Sequence, residues 1–264
     1  MIVLAGDIGG TKVDLGLFED LELREKRRYV SRDFTGLEAI LSDFMVAAGG
    51  SRLSAAAFGI AGPIVGGGVH TTNLPWVIDQ DSLQRTLGCP VAMVNDLEST
   101  AHGIPLLGPG EIVTLNEGSE VAGAARAIIA AGTGLGQGYM IFDRERQRYQ
   151  PRASEGGHTD FAARDDAEIE LLRRLASKFG HVSAERVLSG SGVGEILDHL
   201  TTTGRYLASR ELRDAIAAGD AAAVIARAAM DRTHPICIET MRMFVSAYGA
   251  EAGNLALKVM ALGG

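Results

Sequence analysis

"GDIGGTKVDL" at positions 6–15 sets Gly6, Gly9 and Gly10, with Asp7, Thr11 and Lys12, between two apolar runs. The flanks "MIVLAGDIG" and "VDLGLFE" are short and rich in β-forming residues, so they read as the two strands of a hairpin, and "LREKRRYV" adds a third, more polar strand. A turn rich in glycine lets backbone N–H groups approach an anion closely, because no Cβ stands in the way. Thr11 adds a hydroxyl, and Asp7 adds a carboxylate suited to a hydrated Mg²⁺. Taken alone, the stretch fits a plain tight turn as well as it fits an anion site.

Outward from it, strand and helix signals alternate. "TGLEAILSDFMVAAGG" predicts a helix in which Thr35 and Glu38 form a capping box, Leu37, Ile40, Leu41, Phe44 and Met45 share a face, and Gly49 or Gly50 ends the run. "SAAAFGIAGP" predicts a strand closed by Gly-Pro, "PVAMVND" a buried-type strand, and "LESTAHGI" the start of a helix. Proline and glycine in "PLLGPGE" (105–111) mark a boundary, dividing the chain into α/β domains at 1–106 and 107–264. After it the opening pattern returns: "ARAIIAAGTGLGQGYMIF" is a strand, a turn carrying Gly132, Thr133, Gly134 and Gly136, and a second strand. Beyond residue 165 helices dominate, one with Leu171, Leu172, Leu175 and Phe179 on a face and another over the alanine-rich segment 215–230. Two similarly built halves, each opening on a Gly/Thr turn, weaken the plain-turn reading. Facing each other across a cleft, two such turns grip a polyphosphate from both sides.

Composition narrows the classes. The 264 residues carry a net charge of −8 with no basic block, which argues against nucleic acid and anionic membrane as partners. Cys89 and Cys237 are too few for a disulfide framework or a zinc knuckle. The start "MIVLAGDIGG" lacks the basic region of a signal peptide, and no apolar stretch is long enough to span a membrane, so the expected compartment is the cytoplasm. There is no G-x-x-x-x-G-K-[ST] loop. "GTGLGQG" (132–138) sits between two strands rather than before a helix, which disfavours a dinucleotide fold, and the protein-kinase H-R-D and D-F-G signatures are missing.

The motifs "GDIGGTK" (6–12), "GIAGP" (59–63), "TNLPW" (72–76), "VNDLESTAHGI" (94–104), "AAGTGLGQG" (130–138), "SEGGHTDF" (154–161) and "GHVSAERVLSG" (180–190) follow one another in the order seen in bacterial glucokinases. The whole chain resembles that family, part of the sugar kinase/actin/Hsp70 superfamily. The resemblance implies a two-domain ribonuclease-H-like (actin-like ATPase) fold with a cleft between domains, ATP and Mg²⁺ as cofactors, glucose as substrate and a homodimer. It implies phosphate binding by Asp7, Gly9, Gly10, Thr11, Lys12, Gly132, Thr133, Gly134 and Gly136, with Asp7 also serving the metal. It makes Asp96 the catalytic base, a role its place at the end of a predicted strand suits. On local sequence alone Asp96 suits a helix N-cap equally. Asn95, Asp96, Glu155, His158 and Glu185 are implied sugar ligands, since carboxylates and imidazole match the paired donors and acceptors of a pyranose. Gly156 and Gly157 are expected to form a turn that lets Glu155 and His158 point inward together. Asn73 is a weaker candidate, and Trp76 is expected to pack.

Departures from the family pattern are few. Ala163 replaces a frequent proline, and the cysteine cluster of the zinc-binding repressor–ORF–kinase relatives is missing, so zinc is not expected. Family members continue past "KVMALGG" (258–264) with a strand, an adenosine-contacting segment and a helix; Gly263 and Gly264 are expected to begin that strand. The 107–264 domain is thus expected to lack part of its adenine site, with weak, base-indifferent nucleotide binding. Two other readings stay open: a sugar-binding or regulatory protein with impaired catalysis, and a hexose kinase of different sugar preference.

Overall fold

The computed structural model describes residues 1–62, 64, 66–70 and 75–264. Asn73 and Pro63 lie outside the described residues. The chain divides into two compact units, Met1–Val113 and Thr114–Gly264.

In the first unit, β1 (Ile2–Ile8), β2 (Lys12–Glu19) and β3 (Glu22–Val30) form an antiparallel meander, and β4 (Ala55–Ile60) and β7 (Val91–Asn95) extend it in parallel, giving the order β3-β2-β1-β4-β7. A small separate hairpin joins β5 (Gly68–His70) to β6 (Val77–Asp79). Helices α1 (Leu37–Ala47), α2 (Gln80–Leu87) and α3 (Asp96–Gly103) complete the unit. Period-two alternation along β2 sends Val13, Leu15 and Leu17 into the core, where Leu37, Ile40, Leu41 and Phe44 of α1 meet Phe58 and Ile60 of β4. Trp76 is buried in the same cluster, as its expected packing role requires.

The Thr35–Glu38 capping box does not form. Gly36 is the N-cap of α1 and no side chain caps it. Glu38 is engaged elsewhere, accepting from the Ser82 hydroxyl of α2 at 3.0 Å. The strand predicted at "PVAMVND" exists, but only Val91 of β7 is fully buried, so it is less enclosed than its apolar composition suggested.

The second unit repeats the meander. β8 (Arg126–Ala131), β9 (Leu135–Asp143) and β10 (Arg148–Ser154) pair antiparallel in the order β10-β9-β8. Helices α4 (Asp166–Phe179), α5 (Ala184–Val187), α6 (Gly190–Thr202), α7 (Arg210–Ala218), α8 (Ala221–Met230) and α9 (Pro235–Val259) follow. Leu171 and Leu175 of α4, Ile196 and Leu200 of α6, Ile225 of α8 and Ile236, Met243 and Ala247 of α9 form their shared core. The single helix expected over 215–230 is two helices: Gly219 ends α7, and the Asp220 carboxylate caps α8 by accepting from the Ala223 amide at 3.2 Å. A buried polar link ties sheet to helix, with Gln137 of β9 donating to Glu251 of α9 at 2.8 Å and Asn254 donating to the same carboxylate at 3.1 Å. Gly263 donates to the Ala125 carbonyl at 3.0 Å and Ala127 donates to the Gly264 carbonyl at 2.9 Å, so these last residues run beside β8. Among the described residues, no helix is long and apolar enough to cross a membrane.

His199 of α6 is buried. Its imidazole is pushed below the ordinary value of 6.5, first by burial and then by Arg174 of α4, with Glu170 opposing. The folded chain therefore resists a proton that the unfolded chain accepts. Stability from this source is full above the unfolded value and falls as pH drops through it. Thermal melts taken from about pH 7.5 to about 5.5 should show a loss that shrinks in His199→Gln; an undiminished loss in that variant would clear His199 of the effect.

Candidate active site

In the first unit the candidate residues lie in the turn between β1 and β2 and at the start of α3. Asp7 lies at the end of β1 opposite Asp14 of β2, and Ile8 opposite Val13 closes the ladder before the turn. Gly9 donates its N–H to the Lys12 carbonyl at 3.0 Å. Ser31, which sequence reading overlooked, is fully buried and braces the turn: its N–H donates to the Thr11 carbonyl at 3.0 Å and its hydroxyl to the Gly9 carbonyl at 2.9 Å. Thr11 and Lys12 are exposed, and Lys12 opens β2.

The electrostatics here are carboxylate-rich. The Asp7 carboxyl is held above its ordinary value, first by partial burial, then by Asp14 and Asp96, while Lys12 and Arg28 pull the other way. Arg28 grips Asp14 through both carboxylate oxygens, at 2.7 and 2.9 Å, and lowers its pKa. Among the described residues, no group of three or more His, Cys, Asp or Glu side chains is arranged to hold a metal by itself. A dication arriving with polyphosphate needs only one or two protein carboxylates. The Asp7 carboxylate fits that donor set.

Asp96 is the first residue of α3 and follows directly on the parallel strand β7. Asn95, not Asp96, is the N-cap: its Oδ1 accepts from the Leu97 amide at 3.0 Å and its Nδ2 donates to the Gly62 carbonyl at 3.3 Å. One oxygen of Asp96 also accepts from Leu97, at 2.8 Å; the other makes no hydrogen bond among the described residues, and the side chain is exposed. Gly59 of β4 lets α3 dock this closely, since a Cβ there would lie 2.8 Å from that of Ser99.

The second unit holds its own cluster of three side chains around another glycine turn. The Gly132 N–H donates to the Gly134 carbonyl at 2.8 Å, and the Gly190 N–H donates to the Gly132 carbonyl at 2.8 Å. Thr133 is exposed in this turn, whereas Gly136 lies inside β9, opposite Ala130. Glu185 of α5 crosses the turn: its Oε2 accepts the Leu135 N–H at 2.9 Å and would sit 2.5 Å from any Cβ at Gly134. His158 stands between two carboxylates, with Nδ1 3.9 Å from Glu185 and Nε2 3.7 Å from Glu155, in ion-pair range but beyond hydrogen-bond distance.

Backbone pairing brings these distant segments together. Phe161 N–H donates to the Val182 carbonyl at 2.9 Å, Ala184 N–H donates to the Thr159 carbonyl at 2.8 Å, and Asp160 bridges Ser183. Gly156 and Gly157 help for a different reason from the turn freedom expected of them. They begin a short 3₁₀ turn, Gly156–His158, that packs against β9. A Cβ on Gly157 would run into the Leu135 carbonyl, and one on Gly156 into the Gln137 amide. Close approach, rather than an unusual backbone angle, demands glycine.

A sequence profile of the glucokinase family matches residues 4–264. The chain is 39% identical over 283 residues to a glucokinase of Trichormus variabilis, covering 100% of this chain and 82% of that protein. A glucokinase crystal structure from an Antarctic psychrotroph superposes with a TM-score of 0.80 at 27% identity, covering 100% of this chain and 81% of the other. The fold is also similar to that of a ROK family glucokinase from Streptomyces griseus solved with glucose and AMPPNP, at TM-score 0.63, 20% identity, and coverage of 98% and 80%.

Because the obstacle at Gly157 is backbone, Gly157→Ala should destabilise the chain by about 3 kcal/mol in urea unfolding, whereas Gly103→Ala, which meets open space, should stay within about 0.5 kcal/mol. Equal stabilities for the two variants would contradict the close approach.

Proposed function

The chain belongs to the glucokinase family, and from that membership we propose that it transfers the γ-phosphate of ATP to the 6-hydroxyl of D-glucose. The observation that carries the reading is the exposed Asp96 carboxylate at the head of α3, where Asn95 is the cap and one oxygen of Asp96 makes no hydrogen bond among the described residues. Ligands of α/β sheets collect at the C-terminal ends of parallel strands, and β7 ends there. The kinship in fold with a protein solved with glucose and AMPPNP supports the same pair of substrates.

In this reading Asp96 accepts the proton of the sugar hydroxyl as its oxygen attacks phosphorus. Glu155, His158 and Glu185 bind the remaining hydroxyls, carboxylates accepting and imidazole donating or accepting according to its tautomer. A sugar with one of those hydroxyls inverted leaves a carboxylate unpaired, which is how such a site discriminates. The donor phosphates rest on backbone amides of the glycine turns, those of Gly10 and Thr11 in the first and of Thr133 and Gly134 in the second, with Lys12 supplying positive charge. Asp7 is the residue that would hold Mg²⁺, an ion that neutralises phosphate charge when bound.

Asp96→Asn removes the proton acceptor without changing shape. It should retain glucose binding while turnover in a coupled assay drops by about 10²-fold or more. Normal turnover would end the assignment of Asp96 as base. Glu155→Ala and Glu185→Ala should each weaken calorimetric glucose affinity by about 1–3 kcal/mol, the cost of losing a charged hydrogen-bond partner. Unchanged affinity in both would remove them from the sugar site.

A further inference from the structure

We propose that Ser31 is a positioning residue for phosphate binding: it aims the amides of the first glycine turn. The role rests on reading that turn as a phosphate site. Ser31 stands at the end of β3, in a short 3₁₀ turn (Ser31–Asp33), about twenty positions from the residues it controls. It is fully buried, and its two donors reach both flanks of the turn, the hydroxyl to the Gly9 carbonyl and the N–H to the Thr11 carbonyl.

The consequence follows from peptide geometry. In a four-residue turn over 9–12, the first carbonyl ordinarily accepts from the amide three residues on. Here the Gly9 carbonyl is held by the Ser31 hydroxyl instead, while Gly9 N–H is bonded to the Lys12 carbonyl. Carbonyl and N–H point to opposite sides of a planar trans peptide. Fixing the Gly9 carbonyl toward Ser31 therefore turns the Gly10 N–H away from it, and fixing the Thr11 carbonyl does the same to the Lys12 N–H. Among the described residues, no hydrogen bond is made by the amides of Gly10 and Thr11. The Gly10 donor is thereby turned away from Ser31 before any ligand arrives, so an incoming anion need not reorganise that peptide. Without the hydroxyl, the Gly9 peptide is released to rotate, taking the Gly10 N–H with it.

Inorganic triphosphate in excess Mg²⁺ is the probe, titrated by calorimetry into the full chain, with glucose titrated separately. Ser31→Ala should weaken triphosphate binding about five- to tenfold, the size of one orienting hydrogen bond, and leave glucose affinity unchanged. Ser31→Thr, which keeps the hydroxyl, should recover most of the loss. A purely structural role would lower the melting temperature and affect both ligands alike or neither. Equal triphosphate affinity in Ser31→Ala and the parent would overturn the proposal. Should Ser31→Ala fail to fold, amide resonances of the parent decide: triphosphate must shift that of Gly10, and binding that leaves it unmoved would overturn the proposal. A parent chain that binds glucose but no triphosphate would overturn the phosphate reading of the turn, and Ser31's role with it.

Discussion

Leu135, the first residue of β9, is where the second unit's candidate site is assembled. Its N–H is held by the Glu185 carboxylate, and its carbonyl is approached so closely by Gly157 that no side chain fits between them. One residue thereby fixes the carboxylate of α5 on one side and the 155–158 segment on the other. No direct hydrogen bond joins His158 to Glu155 or Glu185; the contacts at Leu135 act together with the backbone pairing of 159–161 with 182–184 to hold them near one another. The glycine turn preceding Leu135 is bound into the same arrangement through the Gly190 amide, which opens α6.

The first unit solves a similar problem with different parts. A glycine in β4 admits α3, an asparagine caps that helix, and the aspartate after it is left exposed. Charge then tunes the neighbourhood. Arg28 grips Asp14 in a two-pronged pair, while Asp7 is raised first by partial burial and then by Asp14 and Asp96.

Much of this was legible in the sequence because it is local. The hairpins announce themselves by alternation broken at glycine, and the face of α1 by helical spacing of Leu37, Ile40, Leu41 and Phe44. What stayed hidden depends on partners far along the chain. Glu38 has the right spacing for a capping box, but Ser82 captures it. The break in the alanine-rich 215–230 segment is by contrast local: Gly219 ends α7 and Asp220 caps α8, a stop and start signal that the alanines on either side obscured. Ser31 carries no local signal at all, since its meaning lies in two carbonyls of the distant β1–β2 turn. The motifs drew Glu155, His158 and Glu185 into one list; backbone pairing between 159–161 and 182–184, which no spacing rule foretells, is what brings them within reach of each other.

The polar link between Gln137 and Glu251 bears on how this sequence is free to drift. Each is buried, and each satisfies the other across β9 and α9. Replacing either alone strands a desolvated partner, whereas replacing both with apolar residues of matching shape is close to neutral. The path between the two states runs through an intermediate worse than either end. The pair is therefore an evolutionary ratchet: positions 137 and 251 should be inherited as a unit, and lineages that left the polar pairing would seldom return to it one substitution at a time.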